Sequence, residues 1–146
     1  MTDNDTSVIG LDIGSRRIGV ARATWPDGLP APLTTLTNDD SLLQQLKLLV
    51  AAERVVVIVV GRPRGMASQV TEQTRYVDNF TEKIRSEFKL PLYVYDEAGT
   101  SLKAEEELRS RSRPYTKADI DALSATYILE DFLAEHANGK GMPNEI

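Results

Sequence analysis

The sequence contains no cysteine and a single histidine, His136. The first absence excludes disulfides, thiolate metal sites, cysteine nucleophiles and redox switching. The second excludes multi-histidine metal sites, and His136, between Glu135 and Asn138 late in a helical pattern, reads as a solvated surface residue. There is no long hydrophobic run: the longest extends from Val55 to Val60, far short of the roughly 20 residues that span a bilayer. The opening MTDNDTSV is polar and acidic, where a signal peptide needs a basic start and an apolar stretch of about 7–15 residues. A cytoplasmic protein without a membrane segment is expected. Positive charge is not in excess either, since 17 Lys and Arg stand against 22 Asp and Glu for a net charge of −5. That balance excludes tight, indiscriminate, purely electrostatic binding to nucleic acid.

What is present suffices for a core. With 146 residues, 41% hydrophobic and 27% charged, one compact domain is expected, able to bury its core without metal or disulfide staples. Its folded part should cover about residues 7–137, between a short acidic leader and a loose tail holding Gly139, Gly141 and Pro143. Val8 to Ile13 reads as a strand, Gly14 to Arg17 as a tight turn and Ile18 to Thr24 as a returning antiparallel strand. Leu33 to Leu36 is a short third strand. Leu42, Leu43, Leu46, Leu49 and Val50 repeat at helical spacing within Asn38 to Glu53. The β-branched run Val55 to Val60 predicts a strand buried on both faces, hence a sheet with helices on each side. Ser68 to Glu87 is helical, with Val70, Tyr76, Val77, Phe80 and Ile84 as its buried stripe. Leu92 to Tyr95 is a strand and Thr100 to Arg109 a helix. The last helix runs from Lys117 to about Ala137, with Thr116 as N-cap and Asp119 completing a capping box. An antiparallel hairpin followed by βαβ crossovers makes a mixed α/β sheet flanked by helices.

Four acids stand out from this frame. Strand alternation gives Ile9, Leu11 and Ile13 one face and Gly10, Asp12 and Gly14 the other. Asp12 thus sits on a face stripped of side chains, open to a metal, a phosphate or another backbone; alternatively it closes the hairpin by accepting from the turn amides. Asp96 and Glu97 end a strand at its C-terminal side, where open α/β sheets place their ligands. Only one of the two can share a face with Asp12; the other caps the next helix or is solvated. Asp121 continues the line of Ala125, Ile128 and Phe132, although an acid near a helix start is also favoured by the helix dipole alone. Small Ser124 and Ala125 would let this helix approach the sheet. Three converging carboxylates repel one another, and a divalent cation is the natural remedy. Oxygen ligands without His or Cys suit Mg²⁺ or Mn²⁺, and two such ions about 3.5–4 Å apart would serve phosphodiester hydrolysis.

The stretch DIGSRRIGVA from Asp12 to Ala21, the Gly61-x-Pro63 loop, Asp96-Glu97 followed by Thr100-Ser101, and the Lys117 to Leu133 helix centred on Asp121 together resemble the YqgF/RuvX family. This is the Holliday-junction-resolvase-like or pre-16S rRNA nuclease family. The similarity covers about residues 7–134, and its opening segment is the most specific part. The resemblance implies an RNase H-like fold with a mixed five-stranded sheet. It also implies a metal-dependent endonuclease acting on structured RNA, such as pre-16S rRNA at its 5′ end, or on branched DNA; a monomer or a homodimer is expected. Position by position it implies Asp12, Glu97 and Asp121 as catalytic acids and metal ligands, with Asp96 the alternative to Glu97. Two departures stand against the pattern: Ala98 and Gly99 replace a stretch that usually carries Arg, and Arg64 to Ser68 replaces a loop usually rich in Asn, Asp and Gly-Ser/Thr.

The basic residues gather near these acids in sequence. Arg16, Arg17 and Arg22 lie on the hairpin, and Arg62 and Arg64, after a central strand, are candidates to restore the lost phosphate contact. Arg109, Arg111, Arg113 and Lys117 form a run with no intervening acid and with Tyr115 available to stack on a base. The nucleic-acid-binding candidates are accordingly Arg16, Arg17, Arg62, Arg64, Arg111, Arg113 and Lys117; the plain alternative is that the run neutralises a helix C-terminus. A second function class keeps the fold and the binding without the chemistry, a non-catalytic factor in rRNA maturation or transcription. A third, a sugar-kinase or actin-like ATPase, shares the Asp12-x-Gly14 hairpin, but such enzymes need two domains of this kind.

Overall fold

A computed structural model describes residues 5–63, 72–97 and 100–137, with the backbone alone for Pro63, Glu97, Thr100, Ser101, His136 and Ala137. The sequence readings at Arg64 to Val70, at Ala98 and Gly99, at the leader up to Asn4 and at the tail from Asn138 lie outside the described residues, as does the side chain of His136. Nine elements follow in chain order: β1 (Ser7–Ile13), β2 (Arg17–Thr24), β3 (Ala31–Thr37), α1 (Leu42–Ala52), β4 (Val55–Pro63), α2 (Glu72–Glu87), β5 (Leu92–Glu97), α3 (Thr100–Ser110) and α4 (Lys117–Ala137). They match the order expected from hydrophobic periodicity. Strands β3, β4 and β5 each run further than their apolar residues alone suggest.

The five strands form one sheet in the order β3-β2-β1-β4-β5. β1, β2 and β3 are joined antiparallel, whereas β1, β4 and β5 run parallel. The mixture follows from the connections, because a tight turn reverses the chain while a helical crossover brings it back in the same direction. In β4, Val57, Ile58, Val59 and Val60 are all at least 95% buried, which requires cover on both faces. Each such side chain contributes about 1.5–3 kcal/mol of burial.

On one face, Ile9, Leu11, Ile13, Ile18, Val20, Ile58 and Val60 pack against Leu42 and Leu46 of α1 and Val77, Phe80 and Ile84 of α2. On the other, Val8, Ala21, Ala23, Val57, Val59 and Tyr93 receive Ala125, Ile128, Leu129 and Phe132 of α4. Helix α3 covers the outer side of α4 through Ala104 and Leu108 against Leu123 and Tyr127. This double cover explains why every residue from Ala122 to Leu129 is buried, a pattern that a simple amphipathic helix does not show. At the start of α4, the Thr116 amide donates to the Asp119 carboxylate at 2.9 Å and the Asp119 amide to the Thr116 hydroxyl at 3.2 Å. The capping box is therefore formed. Helix α1 stops at Arg54, whose φ of 55° is left-handed and turns the chain into β4. No helix among the described residues is long and apolar enough to cross a membrane.

Candidate active site

Asp12 lies near the C-terminal end of β1, paired across the sheet with Gly19 of β2 and Gly61 of β4. Both neighbours on its face thus lack side chains. The space they leave is taken by α4. A Cβ on Gly19 would lie 1.9 Å from the Asp121 carbonyl oxygen, and one on Gly61 would lie 2.3 Å from Cδ1 of Ile128. Gly10, two residues before Asp12, has the Ala125 carbonyl and the Leu129 Cβ each at 3.1 Å from the position of its missing Cβ. Of the two readings of the bare face, entry of another backbone is the one realised, and that backbone carries Asp121.

The two carboxylates feel each other. Burial first, and the charge of Asp121 second, push Asp12 up to about 6 from its ordinary value of 3.8. An acid removed from water beside another acid resists ionising. Asp121, whose side chain is 20% exposed, accepts from Nε of Arg17 at 2.5 Å. The alternative role for Asp121, a solvated acid at a helix start, is not its situation: it faces the sheet.

The turn that carries the site is braced from three sides. The Gly14 amide donates to the Arg17 carbonyl at 3.0 Å and the Asn38 amide to the Arg16 carbonyl at 2.9 Å. The Asn38 side chain donates to the Gly14 carbonyl at 2.8 Å and to the Tyr76 hydroxyl at 2.6 Å, and Gln73 of α2 donates to the Ile13 carbonyl at 3.2 Å. Asn38 and Gln73 escape a sequence reading because polar residues at element ends are ordinary. The carbonyls they serve are fixed only by the register.

Asp96 and Glu97 part company. Asp96 is largely exposed and stands 3.9 Å from Nη1 of Arg62, which donates to both Asp78 oxygens at 2.9 and 3.2 Å. Both partners of this group belong to the face of α2, opposite Asp12. Arg62 is therefore committed to an ion pair on that face. The Glu97 backbone ends β5 opposite Pro63. Among the described residues no three His, Cys, Asp or Glu side chains gather as a metal cage; Asp12 and Asp121 are a pair.

The other basic candidates divide. Arg111 is ion-paired with Glu107, whose other oxygen accepts from the Tyr127 hydroxyl; these two partners hold the Glu107 carboxyl below its ordinary value, Tyr127 most strongly. Arg22 pairs with Glu53 at 2.8 Å. Arg16, Arg113 and Lys117 are exposed, and Arg64 lies outside the described residues.

The sequence and the fold both have known relatives. A family model described as RuvX, Holliday junction resolvase, matches residues 6–135. A protein of Synechocystis with the name "Putative pre-16S rRNA nuclease" is 34% identical, covering 87% of this chain and 86% of its own. Proteins of the same name from Chloroflexus aurantiacus and Rippkaea orientalis are 33% and 37% identical over 98% and 87% of this chain, and over 96% and 94% of theirs. Among solved structures, Thermus thermophilus RuvC aligns with a TM-score of 0.57 at 12% identity over 94% of this chain and 99% of that one. The same protein in complex with a Holliday junction substrate aligns at 0.58 and 13%, over 95% and 99%. The RuvC likeness gives the fold, RNase H-like with a mixed five-stranded sheet, and the sequence relatives give the lineage: the chain belongs to the RuvX family.

Proposed function

We propose that this protein is a divalent-cation-dependent endonuclease that hydrolyses phosphodiester bonds in structured nucleic acid, with the 5′ end of pre-16S rRNA as its principal substrate. The observation that carries the reading is the pair Asp12 and Asp121, brought together from β1 and α4 near the C-terminal end of β1, with Asp12 pushed up to about 6. A buried acid beside a second acid is costly to keep unless a cation neutralises it, and hard oxygen donors fit Mg²⁺ or Mn²⁺. Glu97 is the proposed third donor. Its support is indirect: of Asp96 and Glu97 only one can share a face with Asp12, and Asp96 is beside Arg62 on the α2 face.

When bound, a pair of such ions supplies an activated water and neutralisation of the leaving oxygen. The residues of the chain hold and orient. Asp12 sits on the rigid central strand, Asp121 is fixed by the close approach of α4, and Arg17 on the adjacent strand positions Asp121 through its Nε. Arg16 and Lys117, exposed on the hairpin and at the start of α4, are proposed phosphate contacts.

A second reading, a non-catalytic nucleic-acid-binding factor in rRNA maturation or transcription, is favoured by the guanidinium of Arg17 already paired with Asp121. Labelled structured RNA and four-way DNA junctions, incubated with Mn²⁺, Mg²⁺ or chelator, separate the two. Cleavage should require the cation and fall at least about 100-fold in Asp12→Asn and in Glu97→Gln, the scale of an essential catalytic group. Binding without cleavage in every metal would establish the second reading instead.

A further inference from the structure

On the far side of the turn that carries Asp121 lies a hollow of about 290 Å³. Its lining includes Leu108 and Leu123, both more than 90% buried, and Pro32 of β3. Tyr115, half-buried, and the exposed Arg111 and Arg113 also line it. Asp119, also on the wall, already accepts the Thr116 amide.

Three features give this hollow a chemistry. Arg111 is anchored by Glu107, which is itself held by Tyr127, so one cation is set in place. Arg113 pairs with no carboxylate among the described residues and stands exposed. A lining that combines an aromatic ring, two arginines and buried leucines matches a group with one flat π-face and one anionic oxygen cluster. The volume is at the small end of ligand sites, about 300–1,000 Å³, and admits one nucleotide but no duplex. The hollow and the carboxylate pair flank the same turn of α4, because Ala122 on its wall follows Asp121 directly.

We propose that this hollow binds one unpaired nucleotide of a nucleic-acid strand, its base on Tyr115 and its phosphate on Arg113 and Arg111. The proposal deepens the nuclease reading and rests on it: it makes the substrate structured nucleic acid with a single-stranded flank. A strand crossing from the hollow to Asp12 passes around the start of α4, where Lys117 is exposed.

The test measures binding in EDTA, so that it does not depend on cleavage. A fluorescein-labelled single-stranded RNA decamer is titrated by anisotropy against the wild type, Arg113→Ala, Tyr115→Leu and Tyr115→Phe, with adenosine 5′-monophosphate, inorganic phosphate and an oligoglutamate peptide as competitors. The expected result is a loss of about tenfold in affinity for Arg113→Ala and for Tyr115→Leu, retention in Tyr115→Phe, and displacement by the nucleotide at lower concentration than by phosphate. Arg113 is exposed, so its variant keeps the fold even if Tyr115→Leu does not. Unchanged affinity in Arg113→Ala overturns the proposal, as does equal displacement by phosphate or by the acidic peptide. If these variants bind normally while the wild type cleaves with cation, the hollow is not a nucleotide site and the nuclease reading stands. If they lose binding while no metal supports cleavage, the hollow stands and the nuclease reading falls.

Discussion

Asp12→Asn is expected to stabilise the protein at neutral pH in the absence of divalent cations. In the folded chain the Asp12 carboxyl is pushed up to about 6 from 3.8, so between those values the folded state holds a proton that the unfolded state has released. Stability then falls as pH rises through that window and is flat above it. The cost above pH 6 is about 2–3 kcal/mol, and asparagine, which cannot ionise, does not incur it. At pH 7.5 in EDTA the variant should unfold about 5–10 °C above the wild type, and near pH 4 the two should converge. A variant equal to or less stable than the wild type at pH 7.5 would contradict the burial of an ionised Asp12. The same pair predicts the response to cations. Saturating Mn²⁺ at about 100 times its Kd should stabilise the wild type by about 2.7 kcal/mol and leave Asp12→Asn nearly unmoved. The substitution expected to end catalysis is thus expected to stabilise the fold, because the carboxylate is kept at the expense of stability.

Gly19→Ala should be among the most damaging single-methyl changes in the molecule. Its Cβ would fall 1.9 Å from the Asp121 carbonyl oxygen, 2.3 Å from the Asp121 carbonyl carbon and 2.9 Å from the Ala122 amide nitrogen. All three atoms are backbone, so no rotamer change relieves the contact, and the whole of α4 must retreat from the sheet. That helix carries Ala125, Ile128, Leu129 and Phe132 into the core, and the expected cost is about 3 kcal/mol or more. Gly10→Ala is the internal control. Its nearest contacts, at 3.1 Å, require movements of only tenths of an ångström, and about 1 kcal/mol is expected. Urea denaturation of both variants measures the difference. Gly19→Ala at or below the cost of Gly10→Ala would mean that α4 does not dock this closely.

These two residues show where sequence reading succeeds and where it stops. Asp12 is found by local means, since strand alternation alone separates Ile9, Leu11 and Ile13 from the bare face. Asp121 is found the same way, through its spacing to Ala125, Ile128 and Phe132. Gly19 and Gly61 are not found, because nothing in the flanking residues says that they stand opposite Asp12; that depends on the exact hairpin register for Gly19 and on pairing with a strand distant in the chain for Gly61. Arg62 illustrates the same limit. Its neighbours in sequence place it near a strand end, but only the register and the packing of α2 put it beside Asp78 and Asp96, on the face away from Asp12. Arg17 reads as a phosphate contact until the docking of α4 supplies Asp121 as its partner.

The ion pair between Arg17 and Asp121 joins residues 104 positions apart, and this has a consequence for synthesis. A ribosome adds roughly 5–20 residues per second, so all five strands emerge well before α4. A nascent sheet without α4 leaves the bare face around Asp12 uncovered and without its partner acid. The carboxylate pair, and the electrostatic cost that goes with it, come into being only when the last helix settles onto Gly19 and Gly10. Site assembly thus awaits the last helix to be synthesised, and a chain stalled before Thr116 carries Asp12 without the second acid of the pair.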